Sequence, residues 1–540
     1  MKTTLSNYEI ILSLDDSVSL MVNGLYGAID VVDRDEAAAL SEGKVEKLSG
    51  EEIERLRSRG HLTDFFETEM DDMQFLAGLF RNIFLNRNMS LLILPSYNCN
   101  FRCPYCFERH RLSNGEDWLK KTMSKEMVDK IFSAVEKEEK RGIKVSSCTL
   151  YGGEPFLPEN REIIEYIVKK AVSSDMTLSV VTNGYSLDHF SDILSEYPFK
   201  DFQITLDGIR EYNDKRRVYI GGGGSYDKIL ENIGLVLSKD INVSVRINTG
   251  PGNLRSVHEL VQVFKENGYS DNNRFSYYYA PADNDNYPGK DYGVSHADIV
   301  EDLMQNGFEK KDAMMHVSEY VTDIREISRL LKKESYLKPM DSYCGAENMM
   351  YLVDNDGAVY TCWDFAAMDK MRVGRIDMEK EKFAFKFELL KWNFRNVTQM
   401  PECKKCPYLF ACRGGCASKA YNKTGDLSNP YCGETKEIFC ETVSMLCDEQ
   451  FQKTGERELT KSLKEALSQY TPEDRDTLQT TRDPKLIVEL LKKSDMFDLD
   501  NTSKADHILW PDFQYIPDNG MIYSYDTQEG DPYGQQPFEQ

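Results

Sequence analysis

Cys99, Cys103 and Cys106 place three thiols within eight residues, in the run Cys-Asn-Phe-Arg-Cys-Pro-Tyr-Cys. Thiolate is the usual protein ligand of a cubane iron–sulfur cluster, in which each of four irons takes one outside donor. Three donors on one short loop leave one iron open to an exchangeable ligand. A structural zinc site would want a fourth Cys or His close by, and His110 could serve. Seven more cysteines follow a second pattern: Cys344-x12-Gly357-x4-Cys362, then Cys403-x2-Cys406-x5-Cys412-x3-Cys416, then Cys432. An isolated C-x2-C pair of this kind also suits a zinc ribbon. Cys148, Cys440 and Cys447 remain. Cys148 lies in an apolar run and reads as a buried apolar residue. Cys440 and Cys447, seven apart in a helical pattern, would share a face and read as core.

The elements that must carry these residues alternate between strand and helix from about 89 to 285. Strand-like runs fall at Leu91–Leu94, Cys148–Tyr151, Leu178–Thr182, Phe202–Leu206, Val243–Ile247 and Phe275–Tyr279. Between them, Lys125–Lys140 carries Met127, Ile131, Phe132 and Val135 on one helical face. Strands joined by helical crossovers form a parallel, right-handed α/β sheet, open or partly closed as a barrel. Chemistry in such sheets sits at the carboxyl ends of the strands.

Residues 1–88 read as a small mixed module. Short strands near Ile10–Leu14, Val18–Val22 and Ala28–Val32 precede a helix over Gly50–Arg59 that Ser49 can cap. Residues 286–340 read as a helical bridge, and 341–450 as the cysteine-rich region. A helical segment and an acidic-aromatic tail occupy 451–540, with no Lys or Arg beyond Lys504. A disordered, solubilising tail and a cover for the active site are both open readings of it.

Composition narrows the partners. Across 540 residues, 66 Lys and Arg stand against 90 Asp and Glu, for a net charge of −24. Nucleic acid is excluded, because phosphate binding needs a basic surface. No apolar run approaches the roughly 20 residues of a membrane span, and no apolar signal core opens the chain. A cytoplasmic protein is expected. There, thirteen cysteines point to metal or redox chemistry rather than to a disulfide framework.

The C-x3-C-x2-C loop, followed by Phe107-Glu108, resembles that of the radical S-adenosylmethionine (SAM) superfamily. The likeness continues through Gly152-Gly153-Glu154-Pro155 at the second strand end and Thr182-Asn183-Gly184 at the third. It ends with Thr205-Leu206-Asp207-Gly208 at the fourth. The resemblance implies a partial (β/α)6 TIM-like barrel, with SAM and a [4Fe–4S] cluster as cofactors. Tyr105, Gly152, Gly153, Glu154, Asn183 and Thr205 would contact SAM, and Arg217 would pair with its carboxylate. One-electron cleavage of SAM would give a 5′-deoxyadenosyl radical that takes hydrogen from an unactivated carbon. Gly221–Gly224 is read as a flexible loop, since Lys-Ser/Thr does not follow as in a phosphate loop.

The seven-cysteine pattern resembles the SPASM extension of radical SAM enzymes that act on peptides and proteins. By that analogy Cys403, Cys406, Cys412 and Cys432 hold a distal auxiliary cluster, and Cys344, Cys362 and Cys416 a nearer one. Three [4Fe–4S] clusters are then implied, with one position of the nearer cluster left for a substrate thiolate or for Cys440 or Cys447. In sulfatase-maturing relatives an Asp directly after the Cys362 position is a base. Here Trp363 stands there and Asp364 one further on, as a candidate catalytic residue.

The N-terminal order resembles winged-helix-like peptide-binding modules, which would hold a leader by strand addition. The implied activity is cross-linking, as thioether or carbon–carbon bond, of a ribosomally made precursor peptide, with flavodoxin or ferredoxin as reductant. Formylglycine generation in a protein is the second enzymatic reading, and electron transfer without catalysis the third.

Overall fold

The computed structural model describes residues 3–81, 88–106, 108, 115–282, 293–481 and 483–497. Phe107, His110 and the tail beyond Lys504 lie outside them. Two compact units are present, Met1–Glu465 and Ala466–Gln540.

The first unit begins with β1 (Thr4–Leu5), β2 (Glu9–Ser13), β3 (Val18–Asn23), β4 (Ile29–Asp33) and β5 (Leu62–Thr63). Strands β2, β3 and β4 form an antiparallel sheet in that order, while β1 pairs with β5. The helix between them is Gly50–Arg59, and Ser49 accepts the Glu52 N–H at its start. The outer edge of β4 is not free for strand addition. Val31 N–H donates to Arg457 O at 2.8 Å and Leu459 N–H to Ile29 O at 2.9 Å, so Arg457–Leu459 lies along it as a further strand.

The inner face of this module holds buried charge. The His61 imidazole stands between Glu9, 2.8 Å from Nδ1, and Asp30 at Nε2. Arg59 Nε meets both Asp30 oxygens at 2.9 and 2.8 Å. Burial opposes charge on His61, but Glu9 and Asp30 outweigh it and hold the imidazole at about 9. A histidine raised from 6.5 stabilises the fold fully below 6.5 and loses that contribution as pH climbs through 9. Glu9, itself raised by burial, acts with the same sign, costing stability as its carboxyl ionises. We expect Tm to fall between pH 7 and 9.5 by several degrees more in wild type than in His61→Gln, measured by calorimetry.

The centre of the unit is a ten-stranded sheet. Its parallel part runs through β6 (Asn88–Ile93), β7 (Lys144–Leu150), β8 (Thr177–Thr182), β9 (Phe199–Thr205), β10 (Asn242–Thr249) and β11 (Phe275–Pro281), neighbours in sequence order. Among the described residues this sheet stays open rather than closing into a barrel. The crossover Lys125–Lys140 buries Met127, Ile131, Phe132 and Val135, as its pattern required. Beyond β6 the sheet gains β12 (Met350–Val353), parallel to it. An antiparallel meander follows through β13 (Ala358–Tyr360), β14 (Gly374–Asp377) and β15 (Lys382–Phe385). The cysteine-rich region thus continues the central sheet, a contact between segments some 260 residues apart that local patterns do not encode.

Helices His296–Gln305, Lys310–Met315 and Ser318–Leu331 follow β11, and Thr435–Thr454 packs on the last of them. The second unit has helices Pro472–Thr480 and Pro484–Leu491, where Lys493 pairs with Asp474 at 2.6 Å. No helix among the described residues is long and apolar enough to cross a membrane.

Candidate active site

Each motif stands at the carboxyl end of a parallel strand. Cys99, Cys103 and Cys106 follow β6, Gly152-Gly153-Glu154 follows β7, Asn183 follows β8 and Asp207 follows β9. The cysteine loop is braced by Val218–Ile220: Arg102 N–H donates to Val218 O at 2.8 Å, and Ile220 N–H to Asn100 O at 2.9 Å. A Cβ on Gly153 would lie 2.3 Å from Asn98 O and 2.4 Å from Tyr97 O. Only glycine lets the two strand-end loops approach this closely.

Glu154 is buried, and its carboxylate is taken up by the protein. Oε1 accepts from Thr182 Oγ1 at 2.6 Å and Phe156 N–H at 2.9 Å, while Oε2 accepts from Asn183 N–H at 2.6 Å. It therefore ties the GGEP turn to the TNG turn. Asn183 Nδ2 reaches Asn100 Oδ1 at 2.7 Å and Cys99 Sγ at 3.9 Å.

Arg217 is buried beside the cysteine loop. Its Nη1 donates to the Tyr105 hydroxyl at 3.0 Å, its guanidinium lies 5.2 Å over the Phe101 ring, and its Nε has no partner among the described residues. Tyr105 in turn donates to Asp207. Burial raises the thiol of Cys99 well above its ordinary value, with Glu154 and the other two cysteines adding to the effect. Burial raises Cys103 as well, and the Arg217 charge opposes this.

The residues missed by sequence reasoning extend this chain inward. Asp207 Oδ1 accepts Asn248 N–H and Nδ2, each at 3.1 Å. Asn248 Oδ1 accepts from Arg246 Nε at 2.8 Å. Arg246 Nη1 lies 3.4 Å from the Tyr278 hydroxyl, which donates to Gln203 Oε1 at 2.9 Å. Thr205, expected at SAM, is level with Arg246 in register. The available signal was alternation: Gln203 and Thr205 on β9, and Ser244, Arg246 and Asn248 on β10, are polar between buried apolar residues.

The other cysteines fall into two groups. Burial raises Cys403 to about 12 and Cys412 to about 11, and each is pushed further by Cys406 and Cys432. Burial likewise lifts Cys344 to about 12 and Cys362 well above its ordinary value, with Cys416 adding to both. Among the described residues no three Cys, His, Asp or Glu side chains converge at metal-binding distance. Cys362 follows β13, and Tyr97, two residues before Cys99, donates to Asp354 in the β12–β13 turn at 2.8 Å. Gly24 of the N-terminal module backs onto the loop after Cys406, where a Cβ would overlap Pro407 O at 1.6 Å.

Trp363 is 42% exposed and stacks on Tyr151, ring centres 5.6 Å apart, so it bridges the Cys362 turn and the GGEP turn. Asp364 accepts from Ser418 Oγ at 2.6 Å, and that oxygen lies 3.2 Å from Cys416 Sγ. Cys148 is buried in β7, as expected. Cys447 is buried in the helix Thr435–Thr454, and Cys440 on the same helix lies 3.3 Å from the Tyr408 hydroxyl.

Residues 93–264 match the Radical SAM superfamily. The chain carries a radical SAM domain. It is 26% identical over 387 residues to the cysteine-type anaerobic sulfatase-maturating enzyme of Clostridium novyi, covering 68% of this chain and 96% of that protein. The enzyme of the same name from Clostridium perfringens is 26% identical over 379 residues, covering 65% and 95%. The solved structure of native anSMEcpe with bound AdoMet shares the fold, with a TM-score of 0.51 at 22% identity over 68% of this chain and 99% of that one.

A radical SAM domain takes SAM and a [4Fe–4S] cluster, and the donor set here suits both. Three thiols on one loop offer cluster ligands, and Gly153 lets that loop close against the GGEP turn. The Nε of buried Arg217, without a partner among the described residues, is a donor awaiting an acceptor.

Proposed function

We propose that this chain is a peptide maturase: it removes hydrogen from a residue of a precursor peptide and closes a thioether or carbon–carbon cross-link. The observation that supports this reading is the Tyr151–Trp363 stack, which brings the turn after Cys362 against the strand end that carries Gly152-Gly153-Glu154. When bound, the cluster and SAM supply the 5′-deoxyadenosyl radical. The chain's own work is positioning. Cys99, Cys103 and Cys106 would ligate the cluster, Gly153 lets their loop close on the GGEP turn, Arg217 would meet the SAM carboxylate, and Glu154 locks two of the turns around the site.

Cys403, Cys406, Cys412 and Cys432 would hold one auxiliary cluster, and Cys344, Cys362 and Cys416 the nearer one. Their ten ligands, counting the first loop, fall one short of the roughly eleven that three cubanes need beside SAM. We assign the remaining position to a substrate cysteine, whose thiolate would be held near the carbon radical, with Cys440 or Cys447 as the alternative ligand. Thioether closure removes two hydrogens: one leaves as 5′-deoxyadenosine, the other as the thiol proton. The surplus electron passes to the auxiliary cluster. A flavodoxin or ferredoxin in the cytoplasm would supply reducing electrons. With the β4 edge paired to Arg457–Leu459, a leader strand would have to add at β2.

The clostridial relatives favour a second reading, formylglycine formation at a protein cysteine. Trp363 in the base position and Asp364 engaged by Ser418 weigh against it. Anaerobic incubation with dithionite, SAM and the cysteine-containing precursor tests both. We expect 5′-deoxyadenosine and a peptide that has lost two hydrogens and kept its sulfur. An aldehyde product without that sulfur would establish the second reading, and absence of 5′-deoxyadenosine would reject both.

A further inference from the structure

We infer that Arg246 is the seat of a carboxylate carried by the peptide substrate. This rests on the peptide reading above and adds a chemical requirement to it. Arg246 lies on β10 between Val245 and Ile247, both fully buried against the helices, so its side chain enters the opposite, concave face of the sheet. In register it faces Thr205 on β9 and Tyr278 on β11. The buried arginines Arg59, Arg81 and Arg395 have carboxylate partners in Asp30, Asp341 and Glu347. Arg246 makes no ion pair among the described residues.

Its orientation is nevertheless fixed. Nε is held by Asn248 Oδ1 at 2.8 Å and Nη1 by the Tyr278 hydroxyl at 3.4 Å, while Nη2 has no acceptor among the described residues. A guanidinium taken partly out of water is costly. The buried Asp207 carboxylate, reached through Asn248, offsets only part of this because Arg216 and Tyr105 share it. A further carboxylate would meet the planar fork with paired hydrogen bonds. The Tyr278 proton goes to Gln203 Oε1, which leaves the Gln203 amide N–H groups to donate beside the same space. The SAM carboxylate is assigned to Arg217, across Tyr105 and Asp207 from this point. The anion at Arg246 is then an Asp or Glu side chain, or the peptide's own C-terminus.

Calorimetric titration of the reconstituted, SAM-loaded full chain tests this with three probes: N-acetyl-glutamate N-methylamide, its glutamine counterpart and N-acetyl-alanine. We expect one of the two carboxylate probes to saturate in the millimolar range and the glutamine probe to bind at least about ten-fold more weakly. A preference for the glutamate probe identifies a side chain, and for N-acetyl-alanine a terminus. Arg246→Gln should lose the preference and Arg246→Lys keep part of it, with SAM affinity retained in both. Equal binding of all three probes to wild type overturns the proposal and needs no variant. Carboxylate preference that survives Arg246→Gln also overturns it. So does a loss of SAM affinity in that variant, which would place the guanidinium on SAM. Formation of 5′-deoxyadenosine by wild type reports separately on the peptide-maturase reading.

Discussion

Replacing Cys99, Cys103 and Cys106 together by Ala is expected to abolish 5′-deoxyadenosine formation while the protein keeps about two-thirds of its iron, some eight of about twelve atoms. The split follows from placement. The three cysteines stand on one loop after β6, and the seven others run from Cys344, just before β12, to Cys432, on elements with their own hydrogen bonds. Removing the loop's thiols leaves Glu154, Thr182 and Asn183 joined, so the strand ends persist while the site of SAM cleavage is lost. Iron analysis and chromatography of the reduced reaction check both parts. Cleavage surviving in the triple variant contradicts the assignment, and iron falling to near zero contradicts independent auxiliary sites.

The second large effect is expected at Arg395, which no motif marks. Its Nη1 pairs with Glu347 at 2.5 Å, Nε donates to Leu427 O at 2.7 Å, and Nη2 donates to Gly414 O at 2.9 Å and Asn429 O at 3.1 Å. Glu347 is three residues after Cys344, and Gly414 two before Cys416. One side chain therefore ties the two halves of the nearer cysteine group. Both charges are buried, and burial already raises Glu347 to about 7 despite Arg395. Removing one partner of such a pair costs on the order of 3–5 kcal/mol, because the other is left uncompensated. Arg395→Ala should lose the iron of the nearer auxiliary cluster, bringing the total toward about eight atoms, and should lower Tm by many degrees. Arg395→Ala with full iron content would show that the loops fold without this link.

The strands, the helix faces and the strand-end motifs were legible because each rests on local regularity. Period-two apolar runs mark β7 to β11, and the face of Lys125–Lys140 repeats at helical spacing. Turn motifs follow directly in sequence. The charge partners were not legible. Glu154 reads as a ligand of SAM by position, yet the fold spends its carboxylate on Thr182, Asn183 and Phe156. Arg246, Tyr278 and Gln203 come from three strands and meet only once these are in register.

By itself the sequence determined the order of the parallel strands, the three-cysteine loop and the chemistry that such a loop serves, since all of these are properties of spacing along the chain. Tertiary structure alone decided what depends on distance through space. It joined β12 to β6, set Trp363 against Tyr151 and closed the edge of β4 with Arg457–Leu459. The physical reason is that sheet hydrogen bonds and buried charge pairs are satisfied by whichever partner the whole fold brings near, and neither leaves a periodic trace in sequence.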